Sequence, residues 1–264
     1  MYELFPIIIL LAFLFETMDS SAGMGFGTGL TPLLFLLGYS PLQVVPILLL
    51  SEAMTGFTSS YFHHEFQNVT FSIRKPFNQA TKITGIIAIT GCFAIIISVM
   101  LTYVALDLPK SFIKTYVAIL VLAMGIVGMV RLKSKTTSYH PRLLTGFAAL
   151  AGFNKGIGAG GYGPVVMMGS LFSGIYEKTA TAIVSLSEGI VSIVGFASFV
   201  FITSYGITID YVLLPSIFTG GFIAAIISPY LVRVFPNKLW RIVIPVYAII
   251  MGVVTLAKVA NIIP

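Results

Sequence analysis

The chain has 264 residues, 57% of them hydrophobic and only 9% charged, with a mean hydropathy of +1.01. Soluble domains carry about 25% charged residues, so this composition excludes a water-soluble fold and points to an all-α polytopic membrane protein. The formal charge of +6 sits mainly in short segments between apolar runs, where lysine and arginine set membrane topology, so no nucleic-acid partner is expected.

The chain starts Met1-Tyr2-Glu3-Leu4-Phe5-Pro6, without the basic run of a cleaved leader, and its first apolar segment is expected to be retained. A membrane helix needs about 20 mostly apolar residues. That ruler predicts segments at 4–37, 41–62, 79–105, 112–132, 142–172, 178–203, 211–233 and 239–261. They fall into two sets of four: an N-terminal membrane repeat at 1–132, a basic connecting loop at 133–141 and a C-terminal repeat at 142–264. The composition places the chain in a membrane, in contact with lipid. Self-association is compatible with this reading.

The first and fifth segments are too long for one straight crossing and too short for two, since 34 helical residues span roughly 50 Å against a hydrocarbon core of roughly 30 Å. Each contains a glycine run closed by a proline: Gly23-Met24-Gly25-Phe26-Gly27-Thr28-Gly29 before Pro32, and Gly156-Ile157-Gly158-Ala159-Gly160-Gly161 before Pro164. Each is followed in the next segment by a Ser-Glu pair, Ser51-Glu52 and Ser187-Glu188. Matched helix breaks in two halves of a membrane protein point to a transporter's substrate site. Setting Pro32 opposite Pro164 pairs Gly29 with Gly161 and Gly23 with Lys155; a four-residue offset then pairs Glu52 with Glu188.

If each segment crosses once, one face collects Arg74, Lys75, Lys82, Arg131, Lys133, Lys135, Arg142 and Lys258. The other collects Lys110, Lys114, Lys178, Arg233, Lys238 and Arg241, a mild bias toward cytoplasmic termini. If the broken segments instead dip in and return, each half crosses an odd number of times and the repeats are inverted. Both arrangements are open at this level.

The breaks are the expected substrate-binding elements, with Gly25, Gly27, Thr28 and Gly29 in the first and Gly158, Gly160 and Gly161 in the second. Freed amides at a half-helix N-terminus favour negative charge. Asn154 and Lys155, at the opening of the second run, add donors and a cation for an anionic solute. Glu52 and Glu188 are the expected proton-coupling pair: hydrocarbon disfavours the charged form of a carboxyl group, and intramembrane acids usually face a cavity. Glu16, Asp19, Ser51 and Ser187 are supporting candidates. A carboxylate that holds Lys155 when the site is empty would yield it to the substrate.

Other chemistries lack their constellations. Gly156-Ile157-Gly158-Ala159-Gly160-Gly161 fits G-x-G-x-x-G, but without the strand and soluble βαβ unit that a dinucleotide requires. No Walker lysine, protease nucleophile or aspartyl-protease motif is present, so no enzyme and no cofactor are expected. His63, His64 and His140 read as surface histidines, and His63-His64-Glu65 is too compact for a metal site. Cys92 is the single cysteine, so no intrachain disulfide forms. Trp240-Arg241 reads as a membrane-interface anchor.

Gly25-Phe26-Gly27-Thr28-Gly29 with Pro32 and Gly38-Tyr39-Ser40-Pro41, and Gly158-Ala159-Gly160-Gly161 with Pro164 and Gly174, resemble the TauE/SafE family of sulfite exporters. Thr28 stands where that family usually has glycine, and Leu48-Leu49-Leu50-Ser51-Glu52 replaces its usual small-residue run. The resemblance implies a duplicated transporter of small anions such as sulfite or sulfonates in the cytoplasmic (inner) membrane of a prokaryote; the coupling ion expected from Glu52 and Glu188 is the proton. Two other readings stay open on the residues: a passive channel lined by the breaks, and a cation permease using Glu16, Asp19, Glu52 and Glu188 as ligands.

Overall fold

The structure is a computed structural model that describes residues 4–72, 74–131, 140–234 and 240–261. Met1 to Glu3, Lys238 and most of the 133–141 loop, including Lys133 and Lys135, lie outside the described residues. So do the side chains of Trp240 and Arg241, the expected interface anchor.

Among the described residues every regular element is helical. Helix α1 (Pro6–Ala22) breaks and resumes through a π-turn (Phe26–Leu30) into α2 (Thr31–Leu36). Next come α3 (Pro41–Glu65), α4 (Gln79–Met100, prolonged by a π-turn to Ala105) and α5 (Lys110–Arg131). The second half holds α6 (Pro141–Gly158), α7 (Tyr162–Phe172), α8 (Glu177–Ile202), α9 (Leu214–Val234) and α10 (Trp240–Val259). Among the described residues five spans, Pro41–Glu65, Gln79–Ala105, Lys110–Val130, Glu177–Tyr205 and Leu214–Val234, are long and apolar enough to cross a membrane. The apolar side chains of Ile7, Ile89, Phe93 and Val130 are each more than 60% exposed, as lipid contact requires.

Local chemistry sets the helix starts. Pro6, Pro41 and Pro141 each occupy the first turn, where the missing N–H costs nothing. Ser40 and Gln43 form a reciprocal capping box, and Asn78 Oδ1 accepts from Thr81 N at 2.9 Å. The two breaks also share a device. Gly23 (φ 69°) and Ala159 (φ 57°) both adopt the left-handed conformation, and their amides bond back to Asp19 O at 2.6 Å and Lys155 O at 2.8 Å.

Aligned by these left-handed caps, Gly23 falls opposite Ala159 and Asp19 opposite Lys155, whereas alignment by the prolines sets Gly23 opposite Lys155. Nine positions separate Gly23 from Pro32 but only five separate Ala159 from Pro164, and the π-turn takes up the four-residue surplus. Glu52 and Glu188 are each the twelfth residue of their helices.

Both broken segments fold back on themselves. At one face of the molecule, Phe5 N donates to Ser216 Oγ at 2.8 Å and Gln43 Nε2 to Asp210 Oδ2 at 2.9 Å. This gathers the starts of α1, α3 and α9, and α2 ends there because Gly38 to Ser40 join it directly to α3. The far end of α1 lies by the far end of α3, where His63 Nε2 meets Ser20 O at 2.9 Å. The second hairpin enters from the opposite face: Ser173 Oγ donates to His140 O at 3.1 Å and the Phe147 and Phe172 rings lie 6.1 Å apart, tilted at 49°, so α7 ends where α6 began. Around the hairpins α1 packs on α9 and α6 on α4; α3 crosses α8, and α5 pairs with α10. The α3–α8 crossing is close because Gly56 has no side chain; a Cβ there would lie 2.6 Å from Ser185 O.

Candidate functional site

The tips of the hairpins meet inside the bundle, backbone against backbone. A Cβ on Gly163 would come within 2.7 Å of Gly23 O, and one on Gly27 would strike Ala159 O and sit 2.9 Å from Glu52 Oε1. Both glycines are required by this approach.

Lys155, in the last turn of α6, is fully buried beneath this contact. Its Nζ donates to Glu52 Oε2 and Glu188 Oε1, both at 2.6 Å, and lies 5.0 Å from the centre of the Tyr162 ring. One glutamate comes from each half of the chain, and each is 4% exposed or less. The helix C-terminus favours a cation, which suits Lys155. The same dipole opposes Asp19 in the last turn of α1. Phe26 N, the first amide of the π-turn, answers by donating to Asp19 Oδ1 at 3.2 Å. Glu16 Oε1 accepts from Ser20 Oγ at 2.6 Å.

Glu16, Asp19, Glu52 and Glu188 line one cavity of about 10 Å³ with Thr55, Gly56 and Ser185. That volume is at the threshold for one water. Four carboxyl groups thus share a space with almost no solvent, and two of them hold the Lys155 ammonium. Glu16 Oε2, Glu52 Oε1 and Glu188 Oε2 have no hydrogen-bond partner among the described residues. Each unpaired buried ion costs several kcal/mol. A multi-atom solute enters only if the helices separate. No three His, Cys, Asp or Glu residues among those described are arranged to hold a metal ion.

The predicted residues divide into two groups. Gly27, Gly160, Lys155, Glu52, Glu188, Glu16 and Asp19 gather at the centre, with Gly25 and Thr28 buried in the same break. Asn154 turns away from the ammonium and accepts from the Tyr116 hydroxyl, leaving its Nδ2 unpartnered among the described residues. Gly158 and Gly161 lie against Val117 and Leu120 of α5, and Gly29 against Phe15. Ser187 bonds its own helix at Val184 O, 3.0 Å, and the Ser51 hydroxyl is buried without a described partner.

His63 departs from its expected surface position. It is fully buried in α3, where Nε2 donates to Ser20 O and Nδ1 accepts from Asn68 Nδ2 at 3.1 Å. Both ring nitrogens are used, which fixes a neutral tautomer. Its sequence signal is its spacing, since eleven residues after Glu52 is three helical turns and returns it to the same side of α3. Thr55 and Ser185 lie three residues from Glu52 and Glu188, so they too were legible from helical spacing. Tyr162 carried no such signal.

Hairpins of broken helix that bring buried charges to the middle of an apolar bundle define a membrane transporter. Residues 8–255 match the family described as Sulfite exporter TauE/SafE. The chain belongs to that family. It is also similar to the probable membrane transporter protein YtnM of Bacillus subtilis (strain 168), with 25% identity over 250 residues that cover 91% of this chain and 79% of that protein. No solved structure matches.

Proposed function

We propose that the chain is a secondary transporter that moves a small anion, of the sulfite or sulfonate class, together with protons. The observation that carries this is Lys155, a fully buried cation clamped by one glutamate from each half where the two helix breaks touch. An anion gains Lys155 only when Glu52 and Glu188 release it, and they release it on taking up protons. Anion and protons then bind from the same side and travel together. The direction of net flux follows the sum of their gradients.

We further infer eight membrane segments in two inverted repeats, each with one hairpin and three full crossings. Exchanging α1–α5 for α6–α10 carries the α1–α9 packing onto α6–α4 and the α3–α9 packing onto α8–α4, which supports this. On this topology Arg74, Lys75, Lys82, Arg142, Lys178 and Arg233 share the face where α3 ends, against Lys110, Lys114 and Lys258 on the other. That bias replaces the near-even division given by single crossings and puts both chain ends outside the cytoplasm. With Cys92 changed to alanine, an impermeant maleimide is expected to label S204C but not Y176C in intact cells; the reverse pattern inverts the orientation.

The functional test is anion-dependent thermal stabilisation and proteoliposome flux across sulfite, sulfate, thiosulfate, sulfonates and carboxylates. A selective response lost in Lys155→Gln supports the anion reading. Full proton-dependent flux in the Glu52→Gln/Glu188→Gln protein removes the coupling. The four-carboxylate cavity favours one second reading, a cation permease. Stabilisation by a cation alone, abolished by Glu52→Gln, selects that reading.

A further inference from the structure

The basic side chains described on the outer face all converge on one place. Lys110 and Lys114, from the start of α5, and Lys258, from the end of α10, line a cavity of about 290 Å³ beside the end of α2, and none of its lining residues is acidic. Lys258 Nζ donates to Leu36 O at 2.9 Å. Lys114 Nζ lies 3.5 Å from Phe35 O and 5.5 Å from the centre of the Phe35 ring. Each ammonium has three N–H groups, so these contacts leave most of the donors unused. Three like charges around one cavity repel each other until an anion joins them.

A second feature is independent of the lysines. Thr255, also in the cavity wall, is 2% exposed and its hydroxyl has no partner among the described residues. A helical threonine ordinarily bonds the carbonyl one turn back, as Thr17, Thr58, Thr84 and Thr219 do here. Thr255 instead keeps a buried donor at the cavity. Ser111 and the first amides of α5 flank the same space, with the positive end of that helix dipole.

We propose that this cavity is an oxyanion-binding site at the outer face. Lys110, Lys114 and Lys258 supply charge, and Thr255 and Ser111 supply hydroxyl donors to two or more oxygens of one ligand. A free oxyanion makes it a capture site for the cargo ahead of Lys155, and that role rests on the anion-transport reading. The phosphate of an anionic lipid offers the same chemistry.

The test is lysine acylation of the full chain in nanodiscs by a water-soluble ester, quantified peptide by peptide, with sulfate and thiosulfate as probes. Gluconate at equal ionic strength is the control. In zwitterionic phosphatidylcholine, an anion at ten times its Kd is expected to protect Lys110 and Lys258 about tenfold by mass action. Lys82 and Lys178 on the other face remain reactive, and the near-isosteric Thr255→Val weakens the protection. Unprotected lysines in both lipid conditions overturn the site. Protection by phosphatidylglycerol, with no further effect of sulfate, assigns the site to lipid and overturns the capture role. Protection without Lys155-dependent flux sinks the transport reading and leaves the site; Lys155-dependent flux without protection does the opposite.

Discussion

Replacing Lys155 by methionine removes the ammonium and keeps most of the side-chain volume. Two carboxylates that each sit 2.6 Å from Nζ, with exposures of 4% or less, are then left facing one another. Removing one partner of a buried ion pair costs about 3–5 kcal/mol. For chains of 150–250 residues each kcal/mol shifts the midpoint by about 2–4 °C, so a fall of about 6–20 °C in apparent unfolding temperature is expected. The decisive comparison is Lys155→Met/Glu52→Gln/Glu188→Gln. Exchanging a whole buried ion group for neutral residues is often close to neutral, so this triple variant is expected to regain most of the lost stability while remaining inactive. Differential scanning fluorimetry of the three purified proteins reads both effects. A Lys155→Met protein as stable as the parent, or a triple variant no better than the single, refutes the clamp.

Gly27→Ala and Gly163→Ala force a Cβ onto backbone of the opposite hairpin and are expected to cost about 1–3 kcal/mol each. Gly85→Ala and Gly146→Ala, helical positions with open space at the Cβ, are expected to be neutral or stabilising by up to about 1 kcal/mol in the same unfolding assay. His63→Phe leaves Ser20 O and the Asn68 amide without their ring partner, an expected loss of about 1–3 kcal/mol, with His63→Gln milder. Where α3 and α9 begin, donation from Gln43 and then from Val212 N holds the Asp210 carboxyl below its ordinary range. That contact is complete above the ordinary aspartate range and is lost as pH falls through the lower folded value. Asp210→Asn is therefore expected to cost only a few tenths of a kcal/mol at neutral pH for so exposed a group, and nothing at acid pH, by thermal melts across pH.

Composition alone determined that this is an apolar helical bundle, because 9% charge cannot cover a soluble surface. The glycine runs and their prolines located both breaks, since backbone approach and left-handed turns leave a mark in residue type. The acids of the centre, Glu16, Asp19, Glu52 and Glu188, were legible too, because ionisable groups are costly in hydrocarbon and stand out within apolar runs. Which partner each would find was not legible. Lys155 lies 103 residues from Glu52 and 33 from Glu188, and only the folding back of the hairpins brings the three together. Helix geometry turns Asn154 about 100° away from its neighbour Lys155, and the fold decides that one meets α5 and the other α3 and α8. His63 looked like a surface residue because loop residues follow it, yet a buried carbonyl claims its ring. The face on which each basic segment lies likewise depends on whether a broken helix crosses or returns. Hydropathy, which counts apolar residues without regard to direction, is the same for both, so tertiary contact alone decides it.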